Sequence, residues 1–363
     1  MTKKKILIAT GGTGGHIFPA YSLAKNLMKK NFSVKLTTDL RGFNYLKNYE
    51  NLDIKLLPSS PVVRKNFLEF LYSLFVIIFS CVKSILFLIF NRPSIIFGMG
   101  GYSSFPICIA AFFLRIRFII YENNLIIGKA NKYLLPFTEK ILVSYKELEG
   151  ISKKYNNKII EVGNIVREDI INSNLSDQEN KLENLNILVL GGSQAAKIFA
   201  EELPPIFKKL KNMDINLKIY QQCQKEQNEI LTKLYKKYNI DHEIFNFTDN
   251  IIEYYSAANL VITRSGASVL GELINAKKLF ISIPLPTSAD NHQYKNAEFY
   301  EKKGYGYLLK ETDIKDELLN LINLIFNDKT LMKKILSNQK QHSDKEIFNN
   351  LNILIEKILN EKN

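Results

Sequence analysis

Short, wholly apolar runs alternate along this chain with longer stretches that are apolar on one helical face only. The first run, Ile6 to Ala9, breaks into Gly11-Gly12-Thr13-Gly14-Gly15-His16, and a helical pattern follows from Phe18 to Lys30. The same order returns at Ile187 to Leu190, which runs into Gly191-Gly192-Ser193-Gln194 and a helical pattern from Lys197 to Leu210. Each reads as strand, glycine turn, helix. Further apolar runs at Ser94 to Phe97, Phe118 to Tyr121, Lys140 to Val143, Leu217 to Tyr220, Leu260 to Thr263 and Leu279 to Ile283 are separated by helix-length segments. Such alternation predicts parallel sheets joined by right-handed crossovers.

Two glycine-turn units in 363 residues predict an α/β chain with two Rossmann-like domains, since that length exceeds one ordinary doubly wound domain. The polar stretch from Arg167 to Asn186 marks the connection, with the boundary near Gly163 to Glu168. The expected division is 1–163, 164–340 and a C-terminal helix within 341–363 that packs back on the N-terminal domain.

Residues 66–91 are the most apolar part of the chain. The longest uncharged run there, Phe70 to Val82, falls short of the roughly 18 to 20 residues that span a bilayer. The expectation is therefore a buried helix, or a surface helix flanked by Arg64, Lys65, Lys83 and Arg92, rather than a transmembrane one. Aromatics such as Phe67, Phe75 and Phe90 suit a membrane interface.

Lys and Arg outnumber Asp and Glu by 49 to 36, a formal charge of +13, which favours anionic partners without choosing among them. No recognition-helix or stacking-aromatic signature accompanies the lysines, so no nucleic-acid partner is expected. Cys81, Cys108 and Cys223 lack disulfide or zinc spacing. The first strand starts at Lys5, which leaves no room ahead of it for a signal peptide.

A strand that ends in glycines and enters a helix presents backbone N–H groups and a positive helix end to an anion. Both domain-opening turns therefore read as phosphate sites, yet neither is a dinucleotide fingerprint: Ile17 and Ser193 stand where glycines would be needed. Gly98-Met99-Gly100-Gly101-Tyr102-Ser103-Ser104 is a third such turn, ahead of a helix from Pro106 to Leu114. Three phosphate-competent turns exceed what one nucleotide needs and suggest a second phosphorylated ligand. His16, at the positive end of the first helix, is expected to stay neutral as a general base requires. Arg264 to Ser268 opens a helix whose first turn is expected to carry Glu272, placed for ribose hydroxyls, while the amides of Ala267, Ser268 and Val269 meet phosphate. Gln293 and Asn296 share a helix face and suit sugar hydroxyls. No Asp-x-Asp cluster suggests a metal, so neither metal nor cofactor is expected, and amides would steady the leaving diphosphate.

GGTGGHIFPA at 11–20, GMGGYSSFP at 98–106, YENNLIIGKANK at 121–132, GNIVR at 163–167, GGSQAA at 191–196, RSGASVLGE at 264–272 and DNHQYKNA at 290–297 form an ordered series along nearly the whole chain. The series resembles the MurG family of glycosyltransferases. The resemblance implies a GT-B fold, with two parallel sheets facing across a cleft, and inverting transfer of N-acetylglucosamine from UDP-N-acetylglucosamine to the C4 hydroxyl of an undecaprenyl-pyrophosphoryl-N-acetylmuramyl-pentapeptide. It implies donor-binding roles for Thr13, Gly14, Gly15, Asn124, Arg167, Ser193, Thr248, Ala267, Ser268, Val269, Leu270, Gly271, Glu272 and Gln293. His16 matches the histidine proposed in catalysis; Gly100, Gly101 and Tyr102, with Asn296, fall to the acceptor side. It implies peripheral attachment to an anionic membrane surface, on the cytoplasmic face of the inner membrane. The chain departs from the pattern at Tyr121 (usually His), Asn123 (usually Gln), Ile165 (usually Pro) and Ala195 (usually Gly). Competing readings are a UDP-sugar transferase with another acceptor, a membrane-associated binding protein without catalysis, and a dinucleotide oxidoreductase, which the failed fingerprints disfavour.

Overall fold

Strands buried on both faces need apolar residues at every position, and the apolar runs become the central strands for that reason. The computed structural model describes residues 3–49, 51–61, 66–173, 184–192 and 196–360. They fall into two units, Met1–Arg167 with Asp344–Asn363, and Glu168–Ser343. The polar connection lies partly at 174–183, and Arg64 and Lys65 at 62–65, all outside the described residues.

In the first unit β1 (Lys5–Ala9), α1 (Gly14–Lys29), β2 (Ser33–Thr38), α2 (Leu40–Leu46), β3 (Asp53–Leu56), α3 (Phe67–Asn91), β4 (Ile95–Gly98), α4 (Ser104–Phe113), β5 (Phe118–Glu122), α5 (Lys129–Leu134), β6 (Ile141–Val143) and β7 (Ile159–Glu161) follow in order. The seven strands pair in the order β3-β2-β1-β4-β5-β6-β7, all in parallel. The chain moves outward one way from β1, then returns to β4 on its other side. Between these two strands the crossovers leave on opposite faces, and a crevice opens past their C-terminal ends. Ala9 lies beside Gly98 there, so the turns after β1 and β4 are neighbours.

The second unit repeats the plan. It contains α6 (Glu168–Ile171), β8 (Leu185–Leu190), α7 (Lys197–Lys211), β9 (Leu217–Gln222), α8 (Asn228–Lys237), β10 (Asp241–Phe245), α9 (Ile251–Ala257), β11 (Leu260–Thr263), α10 (Ala267–Asn275), β12 (Phe280–Ser282), α11 (His292–Lys302), β13 (Tyr307–Leu308), α12 (Ile314–Asn327) and α13 (Lys329–Lys340). Its six strands run β10-β9-β8-β11-β12-β13, again all in parallel. Leu190 lies beside Thr263, so the turns after β8 and β11 meet at the corresponding reversal.

The last helix, α14 (Ile347–Asn360), belongs to the first unit. It buries Ile347, Leu351, Ile355 and Ile358, one face at helical spacing. Lys4 Nζ donates to Asn360 Oδ1 at 3.0 Å, and Arg117 donates to the Ile358 carbonyl. The helix thus packs back on the first unit, beside the residues that lead into β1 and β5.

Helix α3 corrects the buried-helix expectation for 66–91. Its buried residues are Ser73, Ser80, Ser84 and Leu88, while Phe67, Tyr72, Phe75, Ile78 and Phe90 are each more than half exposed. Small polar residues face inward and large apolar ones face water. Ser73 returns its hydroxyl to the Phe70 carbonyl at 2.8 Å, and Ser80 donates to the Pro58 carbonyl at 2.6 Å. These two hydroxyls are thereby paired at the close contact, whereas the buried Ser84 hydroxyl has no hydrogen-bond partner.

Candidate active site

Helix α1 starts at Gly14, one turn before the expected Phe18, so Gly14, Gly15 and His16 form its first turn. Pro19 lies inside this helix. Without an N–H it cannot bond to the carbonyl four residues back, that of Gly15. Asn123 takes that carbonyl instead, its Nδ2 donating at 3.0 Å. The departure from glutamine at 123 therefore still links the loop after β5 to the glycine turn.

Two glycines are required where the turns after β1 and β4 touch. A Cβ on Gly101, whose φ is +77°, would lie 2.7 Å from the Gly11 carbonyl oxygen. One on Gly100, φ +84°, would lie 2.9 Å from both Cε1 and Nδ1 of His16. The half-buried His16 ring thus packs directly over the second turn, and Thr10 Oγ1 donates to its carbonyl at 3.0 Å. Tyr102 stands exposed at the rim and Thr13 is exposed at the start of α1.

Asp39, at the end of β2, supports both turns and was not foreseen as a site residue. Its Oδ1 accepts from the N–H of Gly12 at 3.2 Å and of Gly42 at 2.9 Å. Its Oδ2 accepts from Arg41 and from the Ser59 hydroxyl at 3.1 Å. Ser103, in the turn after β4, donates to Ser59 at 2.9 Å. Burial alone would raise the Asp39 carboxyl, but the Gly42 and Gly12 N–H groups and the Arg41 guanidinium outweigh it and hold the group below its ordinary 3.8.

Glu122, at the end of β5, does the same for the next loop. It is 1% exposed. Its Oε1 accepts from the backbone and side-chain amides of Asn124 at 3.1 and 2.9 Å. Its Oε2 accepts from the Gly128 N–H at 2.8 Å and from Asn131 at 3.0 Å. The carboxylate therefore orients Asn124. Arg167, the last residue of this unit before the chain crosses over, lies with its guanidinium 5.5 Å from the ring centre of Phe18. The first unit thus gathers Thr13, Gly14, Gly15, His16, Gly100, Gly101, Tyr102, Asn124 and Arg167.

In the second unit the turn after β8 passes through Gly191 and Gly192; Ser193 and Ala195 lie outside the described residues. Arg264, just past β11, is buried and fixes the neighbouring turn. Its guanidinium donates to the carbonyls of Ile283 and Pro284 at 3.3 and 3.2 Å, pairs with Glu311, and lies 4.7 Å from the ring centre of Phe199. Ala267, Ser268 and Val269 are the first three residues of α10, where N–H groups lack helical partners and suit an anion.

One expectation needs correction. Glu272 is the sixth residue of α10 and lies on its second turn; it is 7% exposed and accepts from the Tyr255 hydroxyl at 3.0 Å. Leu270 is fully buried and Gly271 is buried too. Asn296 belongs to the second unit, is fully buried, and donates to the Ser265 carbonyl at 3.2 Å. Gln293 Oε1 accepts from the Leu285 N–H at 2.9 Å. The pair braces two loops of the site in this structure. Thr248, beyond β10, accepts from the Asn250 N–H at 3.0 Å. Among the described residues no group of His, Cys, Asp and Glu has the grouping of a metal site.

Residues 6–143 match the family model described as the glycosyltransferase family 28 N-terminal domain, and residues 186–351 match the corresponding C-terminal domain. A protein of Pelagibacter ubique is 38% identical over 362 residues, covering 99% of each chain. One of Rickettsia bellii is 36% identical over 347 residues, 93% of this chain and 96% of its own. Both are named UDP-N-acetylglucosamine–N-acetylmuramyl-(pentapeptide) pyrophosphoryl-undecaprenol N-acetylglucosamine transferase. Among solved structures, that of Acinetobacter baumannii MurG superposes with a TM-score of 0.75 at 26% identity, covering 98% of this chain and 99% of the other.

Because the folded value of Asp39 is depressed, its stabilisation is present above the unfolded value and is lost as pH falls through the folded one. Asp39→Asn is expected to destabilise the protein by about 1–3 kcal/mol near neutrality. The gap from the parent in denaturant melts should stay constant down to about pH 5 and close below 3.8. A gap that persists unchanged at about pH 3 refutes the role.

Proposed function

The chain belongs to glycosyltransferase family 28, and we propose that it transfers N-acetylglucosamine from UDP-N-acetylglucosamine to the C4 hydroxyl of undecaprenyl-pyrophosphoryl-N-acetylmuramyl-pentapeptide, the lipid I to lipid II step of peptidoglycan synthesis. The observation that carries this reading is 38% identity along 99% of a relative named for that transfer. Conservation of length matters here, because both substrate halves of the enzyme are covered.

The chemistry follows from the two glycine-turn units. His16, half-buried at the first turn of α1, takes the proton of the acceptor hydroxyl as the oxygen attacks the anomeric carbon. The bond to UDP breaks on the opposite face, so a single displacement inverts the configuration. The leaving diphosphate gains negative charge, and the N–H groups of Ala267, Ser268 and Val269 at the start of α10 stabilise it, with Ser193 as a further donor-binding residue that the motif GGSQAA implies. Glu272 accepts the ribose hydroxyls beside the bond it receives from Tyr255, and Gln293 and Thr248 complete the donor contacts. Asn124 and Arg167 act on the donor from the first unit. Gly100, Gly101 and Tyr102 face the acceptor, whose pyrophosphate accounts for the additional glycine turn.

The acceptor is lipid-linked, and α3 supplies a surface for membrane contact. By length and composition the helix is apolar enough to cross a membrane. Its inward stripe of Ser73, Ser80, Ser84 and Leu88 runs along the helix, and Ser80 is tied to Pro58 of the same unit. A helix held against its own domain along one stripe lies on a bilayer rather than through it. Outward Phe75, Ile78, Phe79 and Phe90, with Lys83 beside them, suit an anionic surface, and we place the protein at the cytoplasmic face of the inner membrane.

Radiolabelled UDP-N-acetylglucosamine and a short-chain lipid I analogue should yield labelled lipid product, undiminished by a metal chelator; failure to label despite bound UDP would reject the acceptor assignment. His16→Ala should lower kcat by roughly 100- to 10,000-fold with donor KM little changed, and an unaltered kcat removes His16 as the base. Phe75→Glu with Phe79→Glu should abolish sedimentation with phosphatidylglycerol vesicles while UDP binding persists. Equal sedimentation of variant and parent would rule out α3 as the contact.

A further inference from the structure

Residues 162–167, where the chain leaves the first unit, form neither helix nor strand, yet Asn164, Ile165 and Val166 are each at most 3% exposed. A buried backbone outside regular structure needs side chains to satisfy its polar groups. Asn164 is served by the returning chain: its N–H donates to Asp344 Oδ1 at 3.1 Å and its Nδ2 to Asp344 Oδ2 at 3.2 Å. The Val166 N–H donates to the Asn164 carbonyl at 2.9 Å, a three-residue turn centred on Ile165. That leaves the Ile165 N–H directed elsewhere. It donates to the Tyr121 hydroxyl at 3.0 Å.

The same hydroxyl lies 2.9 Å from Ser144 Oγ and 3.3 Å from the Gly163 carbonyl. Tyr121 is 3% exposed, and burial pushes its phenol further above its ordinary value, so it remains a neutral hydroxyl. One side chain on β5 therefore holds the strap at Gly163 and at Ile165. Two residues further on is Arg167.

We propose that Tyr121 is a positioning residue for sugar transfer: its hydroxyl accepts the Ile165 N–H, fixes the strap from Gly163 to Arg167, and so sets the position of the Arg167 guanidinium. This rests on the reading of Arg167 as a donor-site residue. The contact also joins two departures from the resembled pattern, Tyr for His at 121 and Ile for Pro at 165. A proline at 165 brings no N–H. A buried acceptor opposite residue 165 is needed only when that residue is not proline, so the two departures act as one change.

The test is a double-substitution cycle of Tyr121→Phe, Ile165→Pro and both together in the full chain. Ile165 has negative φ at the centre of its turn, near about −75° in the common form, which proline tolerates. Tyr121→Phe alone is expected to lower Tm on the order of 5 °C and to raise donor KM about tenfold with kcat and acceptor KM nearly constant. UDP affinity by calorimetry should fall in parallel. In the Ile165→Pro background each of these losses should shrink to less than half. Equal losses in both backgrounds overturn the coupling, and a lower Tm with unchanged donor KM and UDP affinity overturns the positioning role. Should Ile165→Pro not fold, amide exchange decides: the Ile165 N–H should exchange at least about tenfold faster in Tyr121→Phe, and an unchanged rate refutes the contact. Calorimetry, melting and exchange need no turnover, so a parent protein that transfers no sugar counts against the proposed function and leaves this proposal separately testable.

Discussion

The site of the first unit depends on one close approach, that of the turn after β4 to the turn after β1. Parallel pairing sets Ala9 beside Gly98, and the next residues of both strands must turn in the same small space. Gly101 then meets the Gly11 carbonyl and Gly100 meets the His16 ring at distances that exclude a Cβ. Side chains at either position would push the histidine off the crevice. The glycines therefore serve packing between turns as much as approach to phosphate.

Such tight turns expose backbone N–H groups that the sheet does not satisfy, and buried carboxylates at strand ends meet that need. Asp39 takes the Gly12 N–H, and Glu122 takes the Asn124 and Gly128 N–H groups. In the second unit a buried cation does the corresponding task for carbonyls, with Arg264 holding those of Ile283 and Pro284. A charge buried at such a place costs little net energy because several hydrogen bonds surround it. Loops made in this way are rigid supports for groups that must meet a substrate in one geometry.

Helix α3 reverses the usual distribution of polarity. Serines pack inward because a small side chain lets a helix lie close to its neighbour, and the hydroxyls of Ser73 and Ser80 bond to carbonyls. The large apolar residues are then left outside, an arrangement that water alone would not favour. On the proposed reading, a lipid surface would cover these residues and bring the enzyme to a lipid-linked acceptor.

The sequence by itself determined the two parallel α/β units, since central strands need unbroken apolar runs and their glycine turns follow at fixed places. Through the ordered motifs it also suggested Thr13, His16, Asn124 and Arg167 as candidate site residues. Edge strands such as β3 and β10, partly exposed and carrying Asp53, Lys55, Asp241 and Glu243, have no such run and did not stand out. Only the tertiary structure decided which polar residues hold backbone. Asp39 lies outside the motifs, whereas Glu122, Arg264 and Asn296 lie inside them, and the roles of all four follow from the N–H or carbonyl groups that the fold brings to them. The inward serines of α3 were hidden for the same reason: hydropathy records how apolar a helix is, whereas the neighbour's shape decides which face it buries.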